Sequence, residues 1–351
     1  MTDRNSGTIA DGRNPDGTFD APTVLHPHSA KPWGWYRLCF NSPYLDEVVL
    51  PVTREVMELY QPDGIWYDIT GEYVCTCEWC RAGMKDAGLD VESPADREEW
   101  ARRVYARYLE RTTKAIWDIN PAAHVYHNGT DRKGRYDLYP YFTHHEIESL
   151  PTGGWGYNHF PVNARYFTML PDTAVVSMTG KFHQSWGEFG GFKNPMALRY
   201  EMAQIMSLGC LPCVGDQLHP GGEMDPETYR IIGEAYRDVE EREPWLVGAR
   251  PVADVAILSP SAVRRETVRE DESESGACRM LMEAQIPHVI VDEAMDIDPY
   301  RVLILPDRVP VDTVLAEKLN RFVETGGSLI LSGTSGMDPQ GQSFAVDIGA
   351  R

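Results

Sequence analysis

A chain of 351 residues, 42% hydrophobic and 25% charged, can bury a large core, and its length suits two domains. The formal net charge of −20 argues against nucleic acid or an anionic membrane surface as partner and fits a protein that acts on neutral small molecules. No run is apolar for long enough to span a bilayer, and the polar opening Met1–Asn14 has no apolar stretch of the kind a secretory leader needs.

Residues 1–32 are rich in Gly, Pro and Asp without periodicity and read as a loose arm or loop. Trp33–Phe40 reads as a strand. Leu45–Tyr60 has apolar residues at helical spacing, and Pro51 places the regular helix near it, because proline suits a first turn and breaks an interior. Gly64–Asp68 is a short apolar run ending in a carboxylate. Pro94–Trp117 is an amphipathic helix with Trp100, Val104, Tyr108, Thr112 and Ile116 on one face. The strands His124–Asn128, Tyr141–Glu148, Thr173–Met178 and Leu211–Asp216 follow, with helices at Pro195–Leu208 and Met224–Glu243, the last closed by Pro244. Strands alternating with helices argue a parallel sheet. Each strand ends in polar or aromatic residues, as in a barrel with one functional face. Residues 33–248 are therefore expected to be a partial (β/α)8 TIM barrel. Six strands are read, and the first two of a full barrel would precede residue 33.

Past Arg250 the pattern changes. Strands are expected at Val252–Leu258, His288–Val291, Val302–Leu305 and Ser328–Leu331, with helices at Gly276–Ala284 and Val311–Thr325. Residues 251–351 thus read as a small flavodoxin-like, doubly wound α/β domain that ends before its last unit is complete. Its first turn has no glycine fingerprint, so a nucleotide role is not expected.

Four clusters carry chemistry. Asp68 stands at a strand end beside Trp66 and Tyr67, where barrel enzymes place reacting groups. Glu146 and Glu148 lie two apart on a strand, so both point to one side; with Asp68 they supply the paired carboxylates that glycoside hydrolysis needs. A proton donor needs a raised pKa, which a second carboxylate two residues away helps to supply. Hydroxyl-binding and ring-stacking groups are His127, Asn128, Trp155, Tyr157, Lys181, His183, Trp186, Asp216, Gln217 and His219. Three thiols, Cys75, Cys77 and Cys80, fall within six residues and with Cys39 could wrap one tetrahedral, structural Zn2+; no cofactor is needed for catalysis. Seven cysteines, an odd number with three crowded together, suit a reduced cytoplasm better than a disulfide framework.

These residues carry family resemblances. Pro62-Asp-Gly-Ile-Trp-Tyr-Asp68 resembles the nucleophile strand of the retaining α-L-fucosidases, glycoside hydrolase family 29 and its relatives such as family 151. The resemblance implies that Asp68 is the nucleophile. The spacing from Glu146 to Trp155-Gly-Tyr157 is similar to that of the acid/base in part of that family, with Glu148 as the alternative. Cys39-Phe-Asn-Ser-Pro-Tyr44 and Cys75–Cys80 resemble the zinc-holding cysteine cluster of the family 42 β-galactosidases, in which a flavodoxin-like trimerisation domain follows the barrel. Over residues 33–332 the chain resembles the "hypothetical glycosyl hydrolase 6" group in its Trp-Gly-Tyr, Thr-Gly-Lys-Phe-His and Gly-Asp-Gln-Leu-His-Pro blocks. The Asn-Glu acid/base pattern of the β-galactosidases is absent near the cysteines. The expectation is a retaining, α-L-fucosidase-like glycosidase on a neutral glycoside, cytoplasmic and homo-oligomeric, a trimer by analogy. The alternatives are a β-galactosidase-like hydrolase and an inactive barrel that binds sugar or only assembles.

Overall fold

The computed structural model describes residues 38–129, 132–188, 190–246, 248–265 and 271–347. The proposed loose arm and most of the strand expected at 33–40 lie outside them; Leu38 forms an isolated bridge. The chain divides into two compact units, residues 1–130 with 137–143, and residues 131–136 with 144–351.

In the first unit a π-helical turn, Leu45–Val49, runs into helix α1, Leu50–Tyr60, with Pro51 in its first turn as its fixed φ dictates. Strand β1, Gly64–Tyr67, pairs in parallel with β2, His124–His127, residue for residue. Between them lie α2, Glu78–Asp86, and α3, Pro94–Trp117. Ser93 caps α3 by accepting from the Asp96 amide at 3.3 Å, with Pro94 next in the first turn. Leu45, Leu50, Tyr105, Tyr108 and Leu109 form one core cluster; Met57, Ile116, Ala123 and Val125 form a second beneath the sheet.

The second unit holds two parallel sheets. Strands β3, His145–Glu148, β4, Val175–Gly180, and β5, Leu211–Gly215, pair in sequence order. Helices α4, His159–Phe167, α5, Pro195–Ser207, and α6, Pro226–Leu246, accompany them. Strand β3 starts four residues later than the sequence suggests, because Tyr139-Pro140-Tyr141 is wound into a 3-10 turn. Pro244 also fails to end α6, which runs on to Leu246.

The C-terminal sheet has the order β7-β6-β8-β9, with β6 Val255–Leu258, β7 His288–Val291, β8 Val302–Leu305 and β9 Ser328–Leu331. Helices α7, Pro260–Arg264, α8, Glu272–Glu283, and α9, Thr313–Glu324, complete it. This is the doubly wound arrangement expected. Helix α4 packs on both β3 and β7. A short loop also reaches this domain: the buried Lys133 ammonium pairs with the Glu274 carboxylate.

Candidate active site

Side-chain alternation along β1 and β2 sorts the first unit's candidates onto opposite faces. Ile65, Tyr67 and Val125 face the helices, packed among Met57, Ile116 and Trp117. His127 shares that side. It is fully buried, its ring stacks on Tyr67 at 4.9 Å and 7°, and its Nε2 lies 3.2 Å from the Thr113 hydroxyl. Burial holds its pKa down at about 3, so the ring is neutral. His127 is thus a packing group here, where the sequence reading had given it to a sugar; consecutive strand residues cannot both face one mouth. Burial likewise lifts the Tyr67 phenol to about 12, against a hydrogen bond with Thr53 at 2.7 Å.

Trp66 and Tyr126 stack at 6.5 Å on the other face, and the exposed Asp68 and half-buried Asn128 continue its alternation. Asn128 Nδ2 donates to Asp68 Oδ1 at 2.9 Å. The backbone locks this pair. Asn128 N–H donates to Tyr67 O at 2.8 Å, and the Thr70 amide returns to Asn128 O at 2.9 Å. Between them Ile69 takes φ +53°, a left-handed conformation costly for a β-branched residue. A carboxylate flanked by such an outlier is held at a fixed angle. Asp68 also lines an apolar cleft of about 650 Å³ with Val48, Val52, Val56, Ile65 and Trp66.

In the second unit, Glu146 and Glu148 do share a face of β3, while His145 and Ile147 are buried on the other. Glu146 Oε1 meets His144 Nε2 at 2.8 Å. Glu148 Oε1 accepts from Trp186 Nε1 at 2.9 Å, and His183 is exposed. Trp186 lies against the ends of β4 and β5. A Cβ on Gly180 or Gly215 would stand 2.9 or 2.4 Å from its ring, so both positions demand glycine. Phe182 meets the indole edge-on at 5.3 Å.

Lys181 is 8% exposed, and its ammonium lies 3.9 Å from Asp216 and 5.4 Å from the Phe182 and Phe192 rings. Gln217 sits beside Gly187 in the Trp186 loop. His219 is exposed and accepts from the Gly221 amide at 3.3 Å. Trp155 is half-buried and Tyr157 exposed, and Tyr157 donates to Glu201 at 3.2 Å. The structure therefore brings together Asp68 with Asn128, Glu148 with Trp186, and Lys181 with Asp216. Sequence reading missed Glu201 and Lys193, which with the strand-end Thr179 form a buried ionic network at the end of β4.

The sulfurs of Cys39, Cys75, Cys77 and Cys80 all lie within 4.8 Å of one another, and no cysteine is in a disulfide. Cys39 and Cys80 approach to 3.4 Å, and the Asn41 amide points at Cys39 Sγ at 3.4 Å. A tetrahedral ion with bonds of about 2.3 Å needs sulfurs roughly 3.8 Å apart, so the set fits a metal. Crowding by Cys39 first, then Cys77 and Cys80, with burial, pushes the Cys75 thiol well up: four thiolates need a cation to share this volume.

Residues 263–345 match the β-galactosidase trimerisation domain. The β-galactosidase BglY of Alicyclobacillus acidocaldarius is 21% identical over 395 residues, covering 87% of this chain and 55% of its own. The structure of α-L-fucosidase isoenzyme 2 from Paenibacillus thiaminolyticus is 43% identical at a TM-score of 0.86, covering 90% of this chain and 48% of its own. The cold-adapted β-galactosidase of a Rahnella species superposes at a TM-score of 0.66 with 16% identity, covering 85% of this chain and 55% of its own. This chain thus spans about half the length of these relatives. Its fold is that of a partial (β/α)8 barrel followed by a further α/β domain, and it resembles the α-L-fucosidase together with the trimerisation domain of the β-galactosidases.

Proposed function

We propose that the protein is a retaining glycoside hydrolase of α-L-fucosidase type. Asp68 attacks the anomeric carbon, the bond to the leaving oxygen breaks, and a covalent glycosyl-enzyme forms on its carboxylate. Glu146 or Glu148 gives the leaving oxygen a proton. The same residue then takes a proton from the water that releases the sugar with its configuration retained. Glu146 is the preferred donor, because its spacing to Trp155 matches the fucosidase pattern; each carboxylate already has a partner, Glu146 the His144 ring at 2.8 Å and Glu148 the Trp186 indole at 2.9 Å. Trp155, Tyr157, Trp186 and Lys181 would bind the sugar.

The observation that carries this reading is the strand-end Asp68 clamped by Asn128 in a chain 43% identical to an α-L-fucosidase. Asp68→Gly should lose turnover of p-nitrophenyl α-L-fucoside and regain it with azide. A variant that keeps more than about a tenth of the wild-type rate removes Asp68 from the role, since an essential group typically contributes at least ~10²-fold.

A β-galactosidase-like activity is the second reading, favoured by the trimerisation-domain match and BglY. A panel of aryl glycosides separates the two, and turnover of none favours a sugar-binding barrel. The four thiols are proposed to hold one structural Zn2+, since a closed set of four thiolates leaves no position for substrate. The barrel is proposed to end near residue 250, and the match at 263–345 supports a homo-oligomer, a trimer by analogy. Seven cysteines without a disulfide support a cytoplasmic location, and no described helix is long and apolar enough to cross a membrane.

A further inference from the structure

Glu201 is a buried carboxylate on α5, 3% exposed, and both its oxygens are committed. Oε1 accepts from the Tyr157 hydroxyl at 3.2 Å. Oε2 accepts from Thr179 Oγ1 at 2.5 Å and from Lys193 Nζ at 2.5 Å. Lys193 Nζ also donates to Thr179 Oγ1 at 2.9 Å, so the three groups close on one another at the end of β4.

Thr179 is on β4, and the other two partners come from two separate loops. Tyr157 belongs to the segment after β3 that carries Trp155. That segment has one 3-10 turn, Pro151–Gly153, left-handed glycines at 154 and 156, and the backbone bonds Gly153 N–H to Leu150 O at 2.8 Å and Gly156 N–H to Pro151 O at 3.2 Å. Lys193 closes the loop that carries His183 and Trp186, its amide donating to Lys181 O at 2.7 Å. A buried ammonium is stable only when paired, so the loop's base and the helix cannot part cheaply. Burial lowers the Lys193 pKa and Glu201 works against that shift.

We propose that Glu201 is a positioning residue that couples these two loops, so that ordering one orders the other. A single carboxylate bonded to both loops makes their local opening one event. The coupling itself is independent of the assigned activity. Its consequence for sugar binding rests on the hydrolase reading.

Hydrogen exchange on the full chain tests the coupling directly. Tyr157→Phe removes one hydroxyl and no charge. It should speed amide exchange several-fold in residues 151–158 and also in 181–188, although no atom of the second loop is altered. Glu201→Gln alone strands the Lys193 ammonium, so the paired variant Glu201→Gln with Lys193→Met, which removes both charges, keeps the test free of that penalty. It should release both loops together. Faster exchange in 151–158 alone, or in neither loop, overturns the coupling. With an aryl glycoside, the paired variant Glu201→Gln with Lys193→Met should raise KM about tenfold and change kcat less than twofold; a merely structural role would lower the active fraction and leave KM alone. An inactive wild-type would refute the hydrolase reading and leave the exchange result to decide the coupling.

Discussion

The seat of Trp186 yields a quantitative prediction from a single methyl group. Gly215 has an ordinary backbone angle, so alanine meets no conformational strain there. Its Cβ would, however, stand 2.4 Å from the Trp186 ring, against an ordinary contact of at least ~3.4 Å. The indole must withdraw by about 1 Å, and its 2.9 Å bond to Glu148 then exceeds hydrogen-bonding range. Overpacking of this kind costs about 1–3 kcal/mol, and a hydrogen bond to a charged group about 1.5–3 kcal/mol. Gly215→Ala should therefore lower the melting temperature by roughly 2–10 °C. If Glu148 serves the reaction, kcat/KM should fall about 10- to 100-fold, at 1.36 kcal/mol per decade. Calorimetry and initial rates in a double-mutant cycle with Trp186→Ala isolate the cause. Once the indole is gone, Gly215→Ala should be nearly silent. An equal loss in both backgrounds would refute the argument, because the methyl would then be clashing with something else.

Other outcomes follow from the same geometry. Asn128→Ala, which removes the 2.9 Å donor to Asp68, should lower kcat/KM about tenfold with little change in melting temperature, the usual effect of losing one hydrogen bond to a charged group. Metal analysis should find one zinc per chain; Cys80→Ser should lose it and lower the melting temperature, and a metal-free protein of unchanged stability would contradict the site. His127 is neutral when folded, with its pKa lowered to about 3, but takes a proton near 6.5 when unfolded. Its contribution to stability is present in full above pH 6.5 and is lost as pH falls from there toward 3, so His127→Gln should flatten the acid limb of a stability profile read by urea unfolding.

Much of the fold is written locally. The cap Ser93, Pro94 and the repeated apolar face ending at Trp117 define α3 before any contact is known. Pro51 marks the start of α1 for the same reason. Pro244 misleads, since α6 runs through it to Leu246 even though residues 241–245 are exposed. The thiol cluster is legible because three of its members lie within six residues, and Cys39 completes it. Side-chain alternation along the Tyr126-His127-Asn128 run is enough to turn His127 inward. Glu201 gives no such signal. In Leu198-Arg-Tyr-Glu-Met202 it is one acid on a helix, and its meaning comes from Tyr157, Thr179 and Lys193, brought to it by three other segments. The glycines 180 and 215 are equally mute until the Trp186 ring lies across them.

The covalent intermediate tests the central claim most directly. Incubation with 2-deoxy-2-fluoro-α-L-fucosyl fluoride, followed by proteolysis and mass spectrometry, should find one fluorosugar per chain on the peptide containing Asp68, with loss of activity in step with labelling. A label on another carboxylate, or steady turnover of an aryl fucoside with inversion at the anomeric carbon, would contradict it.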